Sequence, residues 1–422
     1  MRYLQHTAIQ NDSVDNVFLY REELKLIVET RDVGVHEGAL TLPFVDSVSD
    51  IDRAKKYVGE VDAVFLVGIG GSSLGTEAVF QALKAQDANV TLTVFDTVSS
   101  DRIERAVRML VRRNIPKEKI AIIIISKSGG TTETITNASV LSQALSSHYS
   151  ADVKDRTLVI TDQGSRLDTL SHEIGYEVFH LPHAIGGRFS VFSNVGLIPL
   201  ALLGVDIAGV LRGAREAITS ALADDSKDAL DSVYALSLMS ARGLTTLDTF
   251  VFDASLEAYA KWRRQLLAES LGKSNDMKGN AGMFGILPTV TTAGDLHSVA
   301  QLYLSGARGI HTDFITFNTY GSVPITGHPL LSIIPYLEGK TTDDILQALS
   351  AGVLEAYTDQ QLSYAEYRLV SCSAYEIGAL MAHNMFETIC AAKLLKVNAF
   401  DQPNVELYKI KTKARLEREV TN

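Results

Sequence analysis

From about residue 61 the chain alternates short apolar runs with longer stretches of helical spacing. VDAVFLVGI, NVTLTVFD, IAIIIIS, TLVIT and EVFHL follow one another up to about residue 181. Continuous β-branched runs bury both faces, as parallel strands covered by helices do. The pattern predicts a doubly wound α/β domain. A helical stretch from about Asp206 to Met239 comes next, and its polar break at Asp224, Asp225 and Ser226 predicts a passage between domains. TFVFDA near 249, LPTVTT near 287 and DFITFN near 313 predict strands of a second α/β unit. Helices such as Leu256 to Glu269 and Ser298 to Leu304 separate them. A last long helix, roughly Tyr375 to Leu395, places Ile377, Leu380, Met381, Met385, Ile389 and Ala392 at helical spacing, which predicts one core-facing side. A basic, polar tail closes the chain.

Length and composition agree with this organisation. At 422 residues the chain exceeds a typical single core, and 46% hydrophobic with 21% charged residues suits a globular protein with a large interior. The expected division is an N-terminal segment (1–50), a first domain (51–200), a second domain (201–395) and a C-terminal segment (396–422). The 39 basic and 50 acidic residues give a net charge of −11, which disfavours nucleic acid or an anionic membrane as partner. The two cysteines, Cys372 and Cys390, make no metal-type pair and fit a reducing compartment. No apolar leader opens the chain, and the stretch Val195 to Val205, interrupted by Pro199, is too short to span a bilayer. A cytoplasmic location is expected.

Two loops carry the first chemical signal. The first strand runs into Gly68-Ile69-Gly70-Gly71-Ser72-Ser73-Leu74-Gly75, where glycines allow close backbone approach and a helix N-terminus favours negative charge. It is neither a dinucleotide fingerprint, which needs glycine at position 73, nor a Walker loop. The third strand ends in Ser126-Lys127-Ser128-Gly129-Gly130-Thr131-Thr132-Glu133, dense in hydroxyls and unhindered amides. Neighbouring loops at the carboxyl ends of an open α/β sheet form the usual ligand crevice, and neutral hydroxyls suit a small phosphomonoester. A tight turn in the first case and an N-cap in the second are the structural alternatives.

Four further places could act: Gly186-Gly187-Arg188-Phe189-Ser190, Ala268-Glu269-Ser270-Leu271-Gly272-Lys273, Gly294-Asp295-Leu296-His297-Ser298 and the run from Phe400 to Lys409. Taken singly, Arg188 could be a structural ion pair, Glu269 a solvated helix end, His297 a cap or core histidine and Lys409 a surface lysine. In this order, however, GIGGSSLG, SKSGGTTET, GGRFS, AESLGK, DLHS and FDQPNVELYK resemble the phosphoglucose isomerase family over about residues 60 to 410. Two departures, His183 before the GGRFS arginine and Asn404 in the last motif, imply altered local turns and leave the matched catalytic positions untouched.

The resemblance implies two sugar-isomerase (SIS) domains, each a mainly parallel sheet flanked by helices, plus a C-terminal helical segment. It implies interconversion of glucose 6-phosphate and fructose 6-phosphate through a cis-enediol. Gly71, Ser72, Ser126, Lys127, Ser128 and Thr131 then match the phosphate loops, and Gln402 lines the pocket. Glu269 matches the base that moves a proton between C2 and C1. Its place near a predicted helix end, marked by Gly272, adds a dipole that favours basicity. Arg188 matches the group that stabilises enediolate charge without giving up a proton, and His297 and Lys409 match the groups that open the sugar ring. The resemblance further implies a homodimer with shared active sites, the histidine arriving from the partner subunit. No cofactor is implied, and no metal site is expected: His180 and His183 are close in sequence but have no evident third ligand.

Overall fold

The computed structural model describes residues 1–6, 14–83, 90–224, 226–282, 285–305 and 308–419. Strand β1 (Arg2–Gln5) and helices α1 (Val14–Thr30) and α2 (Val48–Val58) lead into a regular alternation. It runs β2 (Ala63–Val67), α3 (Leu74–Leu83), β3 (Thr91–Phe95), α4 (Ser100–Arg113), β4 (Ile120–Ile125), α5 (Thr132–Tyr149), β5 (Thr157–Thr161), α6 (Arg166–Ile174) and β6 (Glu177–His180). These strands form a parallel sheet in the order β3-β2-β4-β5-β6. Every residue of β2, β4 and β5 is buried, which is why the runs are apolar on both faces. Helix starts follow local chemistry: Ser99 and Ser165 each accept a backbone N–H from three residues on, opening α4 and α6.

The second half contains α7 (Asn194–Leu202), α8 (Ile207–Leu222), α9 (Lys227–Leu238), β7 (Thr246–Val251), α10 (Glu257–Leu271), β8 (Leu287–Thr292) and α11 (Ala300–Ser305). It continues with β9 (Ile310–Phe317), α12 (Thr342–Asp359), β10 (Ser363–Leu369), α13 (Ala374–Leu395) and α14 (Glu406–Glu419). Its sheet has the order β1-β10-β9-β7-β8, parallel except for β1. The first strand of the chain thus belongs to the second sheet, paired antiparallel from Arg2 opposite Arg368 to Gln5 opposite Ala365. Among the described residues no helix is long and apolar enough to cross a membrane.

Two readings of the helices change. The polar break near Asp224 does separate α8 from α9, although Asp225 lies outside the described residues. Both helices then pack on α13, so the break is a turn within one helical layer and not a passage between domains. Helix α13 is buried on all sides from Glu376 to Ala392, not on one. Helices α1, α8, α9 and α10 all lie against it. The α8 crossing is close enough that a Cβ at Gly213 would fall 1.8 Å from the Tyr375 carbonyl oxygen, and one at Gly378 2.1 Å from that of Val210. One continuous apolar core joins the inner faces of both sheets, and α10 of the second half lies directly on α3 of the first. That contact brings the ends of the two halves together.

Candidate active site

Arg188 sits in a single 3-10 turn, Gly187–Phe189, and only 3% of it is exposed. Its Nε donates to Ser270 Oγ at 2.8 Å, and Nη1 to Glu269 Oε2 at 3.0 Å. Nη2 donates to the carbonyls of Ala399 and, at 3.2 Å, Asp401. A planar fork of donors can serve such dispersed acceptors where an ammonium could not. Burial works to lower the pKa of this guanidinium, and Glu269 and Asp401 partly oppose that.

Glu269 lies on the last turn of α10, which ends at Gly272 as the sequence predicts. Its other oxygen, Oε1, accepts from Gln265 Nε2 at 2.9 Å, one helical turn back. The immediate surroundings of the carboxylate are therefore donors, a guanidinium among them, rather than the helix end alone. Its side chain keeps 26% exposure beside a guanidinium at 2%. The carboxylate can be reached from outside while its cationic partner is sealed.

The last motif is tied to the same point. Lys273 Nζ donates to the Glu269 carbonyl at 2.8 Å, the Asp401 carbonyl at 2.6 Å and Asp401 Oδ1 at 2.8 Å. Sequence reasoning alone does not single out Ser270, Lys273, Gln265 or Asp401. A signal is nevertheless present, since Ser270 and Lys273 stand within AESLGK and Asp401 within FDQP.

The two glycine-rich loops approach from the first sheet. Gly71 and Ser72 occupy the turn Gly70–Ser72 between β2 and α3. A Cβ at Gly71 would lie 2.1 Å from the Gly187 carbonyl carbon and 2.5 Å from the Arg188 nitrogen. The close approach that demands glycine here is to the arginine's own turn. Thr131 stands at the N-cap of α5 but makes no capping bond; its Oγ1 lies 3.1 Å from Ser126 Oγ instead. The N-cap alternative is thus not realised by this side chain, and two hydroxyls are paired beside a helix N-terminus. Ser128 is exposed in the same loop. Lys127 Nζ donates to the carbonyls of His183 at 2.6 Å and Ile185 at 3.0 Å, fastening this loop to the one that leads to Arg188. Burial lowers the pKa of its ammonium, with Asp162 opposing.

Three residues stand apart. His297 is exposed at the end of the turn Ala293–His297, beyond β8. Gln402 is exposed ahead of the turn Pro403–Val405. Lys409, on α14, pairs with Glu406 at 2.6 Å and is also exposed. Among the described residues no hydrogen bond or ion pair joins His297 or Lys409 to Glu269 or Arg188. Of the two departures, His183 bonds Asp162 Oδ2 at 2.7 Å, and Asn404 lies exposed in its turn.

The model of the phosphoglucose isomerase family matches residues 6–421. The chain belongs to that family. A glucose-6-phosphate isomerase from Thermus thermophilus is 33% identical over 396 residues, covering 93% of each chain. A hypothetical protein of the same organism has the same fold, with a TM-score of 0.84 at 30% identity over 95% of this chain and 94% of its own. The fold is also that of a glucose-6-phosphate isomerase from Chlamydia trachomatis, with a TM-score of 0.77 at 21% identity, covering all of this chain and 81% of the other. The two mainly parallel sheets flanked by helices are thus the fold of a phosphoglucose isomerase family member.

Proposed function

We propose that the chain catalyses the reversible conversion of D-glucose 6-phosphate to D-fructose 6-phosphate at the junction of the motifs around Arg188. The observation that carries this reading is the 3.0 Å pair of a sealed Arg188 and a reachable Glu269, fixed by segments from both halves of the chain. Glu269 takes the C2 proton and returns it to C1, while a second proton passes from the C2 hydroxyl oxygen to the C1 oxygen, so that the carbonyl and the hydroxyl exchange places. The electrons stay within the substrate, so the step requires no redox partner. Charge that develops on the enediolate oxygens is stabilised by Arg188, which has no readily lost proton of its own.

The non-reacting phosphate is assigned to Ser72, Ser126, Ser128 and Thr131, with the amides around Gly71 and those that open α5. Lys127 adds positive charge and ties the loop down. Binding this remote group orients C1 and C2, where alignment supplies a large share of the rate. His297 and Lys409 are assigned to ring opening and Gln402 to the pocket wall.

The exposed setting of His297 and Lys409 fits a homodimer in which a partner subunit completes each site. Apolar side chains exposed at Leu330 (64%), Ile333 (73%), Tyr336 (77%), Leu407 (61%) and Ile410 (65%) support that assembly. The two sheets support domains at 51–200 and 201–395, with β1 an outlying strand of the second. Two free cysteines and the substrate's metabolic character support a cytoplasmic location.

The test is conversion of fructose 6-phosphate by purified wild type and by Glu269→Gln. Activity in the former and a kcat lower by several orders of magnitude in the latter, with sugar phosphate still bound, is the expected result. Sugar-phosphate binding without turnover in the wild type would make the protein a sensor instead. Constant specific activity through dilution into monomers would overturn the shared site.

A further inference from the structure

His180 and His183, neighbours in sequence, part company in the fold. His183 faces Asp162, whereas His180, at the end of edge strand β6, faces the first turn of α6. Asp168 in that turn and His172 in the last turn of α6 stand four residues apart, on one face of the helix. Asp168 Oδ1 lies 3.0 Å from His180 Nε2 and 3.3 Å from His172 Nε2. One ligand atom from each of the three residues falls within 4.8 Å of the others. We propose that Asp168, His172 and His180 form a binding site for a divalent first-row transition metal, with zinc as the best match. The site is separate from the isomerase centre.

Tetrahedral zinc with bonds of about 2.0–2.2 Å has ligand atoms about 3.3–3.6 Å apart. The two spacings from Asp168 Oδ1, 3.0 and 3.3 Å, need only a small opening around the ion, and the two imidazole nitrogens lie within 4.8 Å of each other. Two imidazoles and one carboxylate suit zinc and its neighbours, whereas calcium and magnesium prefer all-oxygen shells. Water would complete the coordination.

The carboxylate is already oriented. Asp168 is 7% exposed, and its Oδ2 accepts the Gly164 N–H at 2.7 Å, which leaves Oδ1 toward the imidazoles. The histidine side chains are 63% and 38% exposed, so an ion can enter without unfolding. Behind His180, its carbonyl accepts from Asn194 at 3.0 Å, and the same amide donates to Asp50 at 2.7 Å. Occupancy would fasten the start of α6 to the end of β6. The adjoining turn leads on to the first sheet's ligand loop: Ser165 Oγ lies 2.9 Å from Thr161 Oγ1, which donates to the Ser126 carbonyl at 2.7 Å. The metal's role here is to tether; no proton or electron transfer is assigned to it.

The experiment is calorimetric titration of the full chain, stripped with EDTA and dialysed, with zinc chloride and separately with calcium chloride. Expected are one zinc per chain, no calcium binding, and a Tm that rises with the logarithm of free zinc. His172→Gln and His180→Gln should each weaken binding at least about tenfold, while His148→Gln, on another helix, should not; circular dichroism confirms that each variant is folded. Cobalt bound to the wild type should give the intense visible bands of low coordination. Absence of zinc binding, equal affinity for calcium, or unchanged affinity in both folded histidine variants would overturn the proposal.

Discussion

Arg188 shows how much can depend on the shape of one side chain. Its donors reach a carboxylate, a hydroxyl and two carbonyls that converge from α10 and from the segment after α13. Arg188→Lys keeps the charge and loses the fork. The variant should lose about 100- to 1,000-fold in kcat, the scale of removing one preorganised donor at developing negative charge. Acceptors left buried should also cost about 1–3 kcal/mol in urea unfolding. A lysine variant with wild-type kcat would remove Arg188 from the chemistry. Gly71 makes the complementary case. In Gly71→Ala the new methyl would collide with the Gly187–Arg188 backbone, so the loops must separate at about 1–3 kcal/mol. Raised KM for the sugar phosphate together with lowered stability is expected; a normal KM would show that the loops yield elsewhere. The need for glycine is legible in sequence, but its partner is not. Nothing local marks Gly187 as the surface that Gly71 must meet.

At the scale of elements, α10 carries both the base and its anchor. Two turns before Glu269, Arg263 is wholly buried, donating to Asp313 Oδ2 at 2.6 Å and to Thr249 Oγ1 at 3.0 Å. It also lies 3.6 Å from Glu387 of α13. This ties the helix to β7, β9 and α13 by charge as well as by packing. Arg263→Leu would leave two carboxylates buried without their cation and should cost about 3–5 kcal/mol in chemical unfolding; a loss below about 1 kcal/mol would show that water or protonation replaces the arginine. These interior charges also explain where reading the sequence stops. The apolar runs of β2, β4 and β5 reveal themselves because no polar residue interrupts them. Strand β10, SYAEYRL, stays hidden in the sequence because Glu366 and Arg368 break its pattern. In the fold Glu366 is buried, accepting from Arg368 at 2.7 Å and from Thr316. Helix α14 reads as a polar tail because it has no core face to give a periodic signal; Leu407, Ile410 and Leu416 are exposed. Of the site itself, the motifs that hold Arg188 and Glu269 are legible, whereas the supports Lys273 and Asp401 are visible only as neighbours within them.

For the whole molecule, the second sheet makes stability depend on pH. Asp248 of β7 is fully buried and accepts from Thr289 at 2.7 Å and Thr291 at 2.9 Å, both on β8. Burial pushes its pKa up from 3.8 to about 6, against the pull of those hydroxyls. The native state therefore binds this proton more tightly than the unfolded chain does, so stability falls as pH rises from about 4 to about 6 and then levels. Asp313 acts in the opposite sense. Burial raises its pKa, but Arg263 and His311 draw it below the ordinary carboxylate value, so its contribution is present above that value and lost in acid. The two effects overlap in the wild type, and Asp248→Asn separates them. An asparagine oxygen can still accept from both threonines, yet it does not titrate. The stability of the variant relative to wild type should climb by up to about 3 kcal/mol between pH 4 and pH 7, at about 1.4 kcal/mol per pKa unit. Urea unfolding at a series of pH values measures this directly. A difference that stays constant with pH would mean that Asp248 remains ionised inside the sheet, and the decline of the wild type between pH 4 and 6 would then have to come from another buried acid. Glu387, pushed up by burial despite Arg263, and Glu77 and Asp231, also raised by burial, are the acids left to supply it.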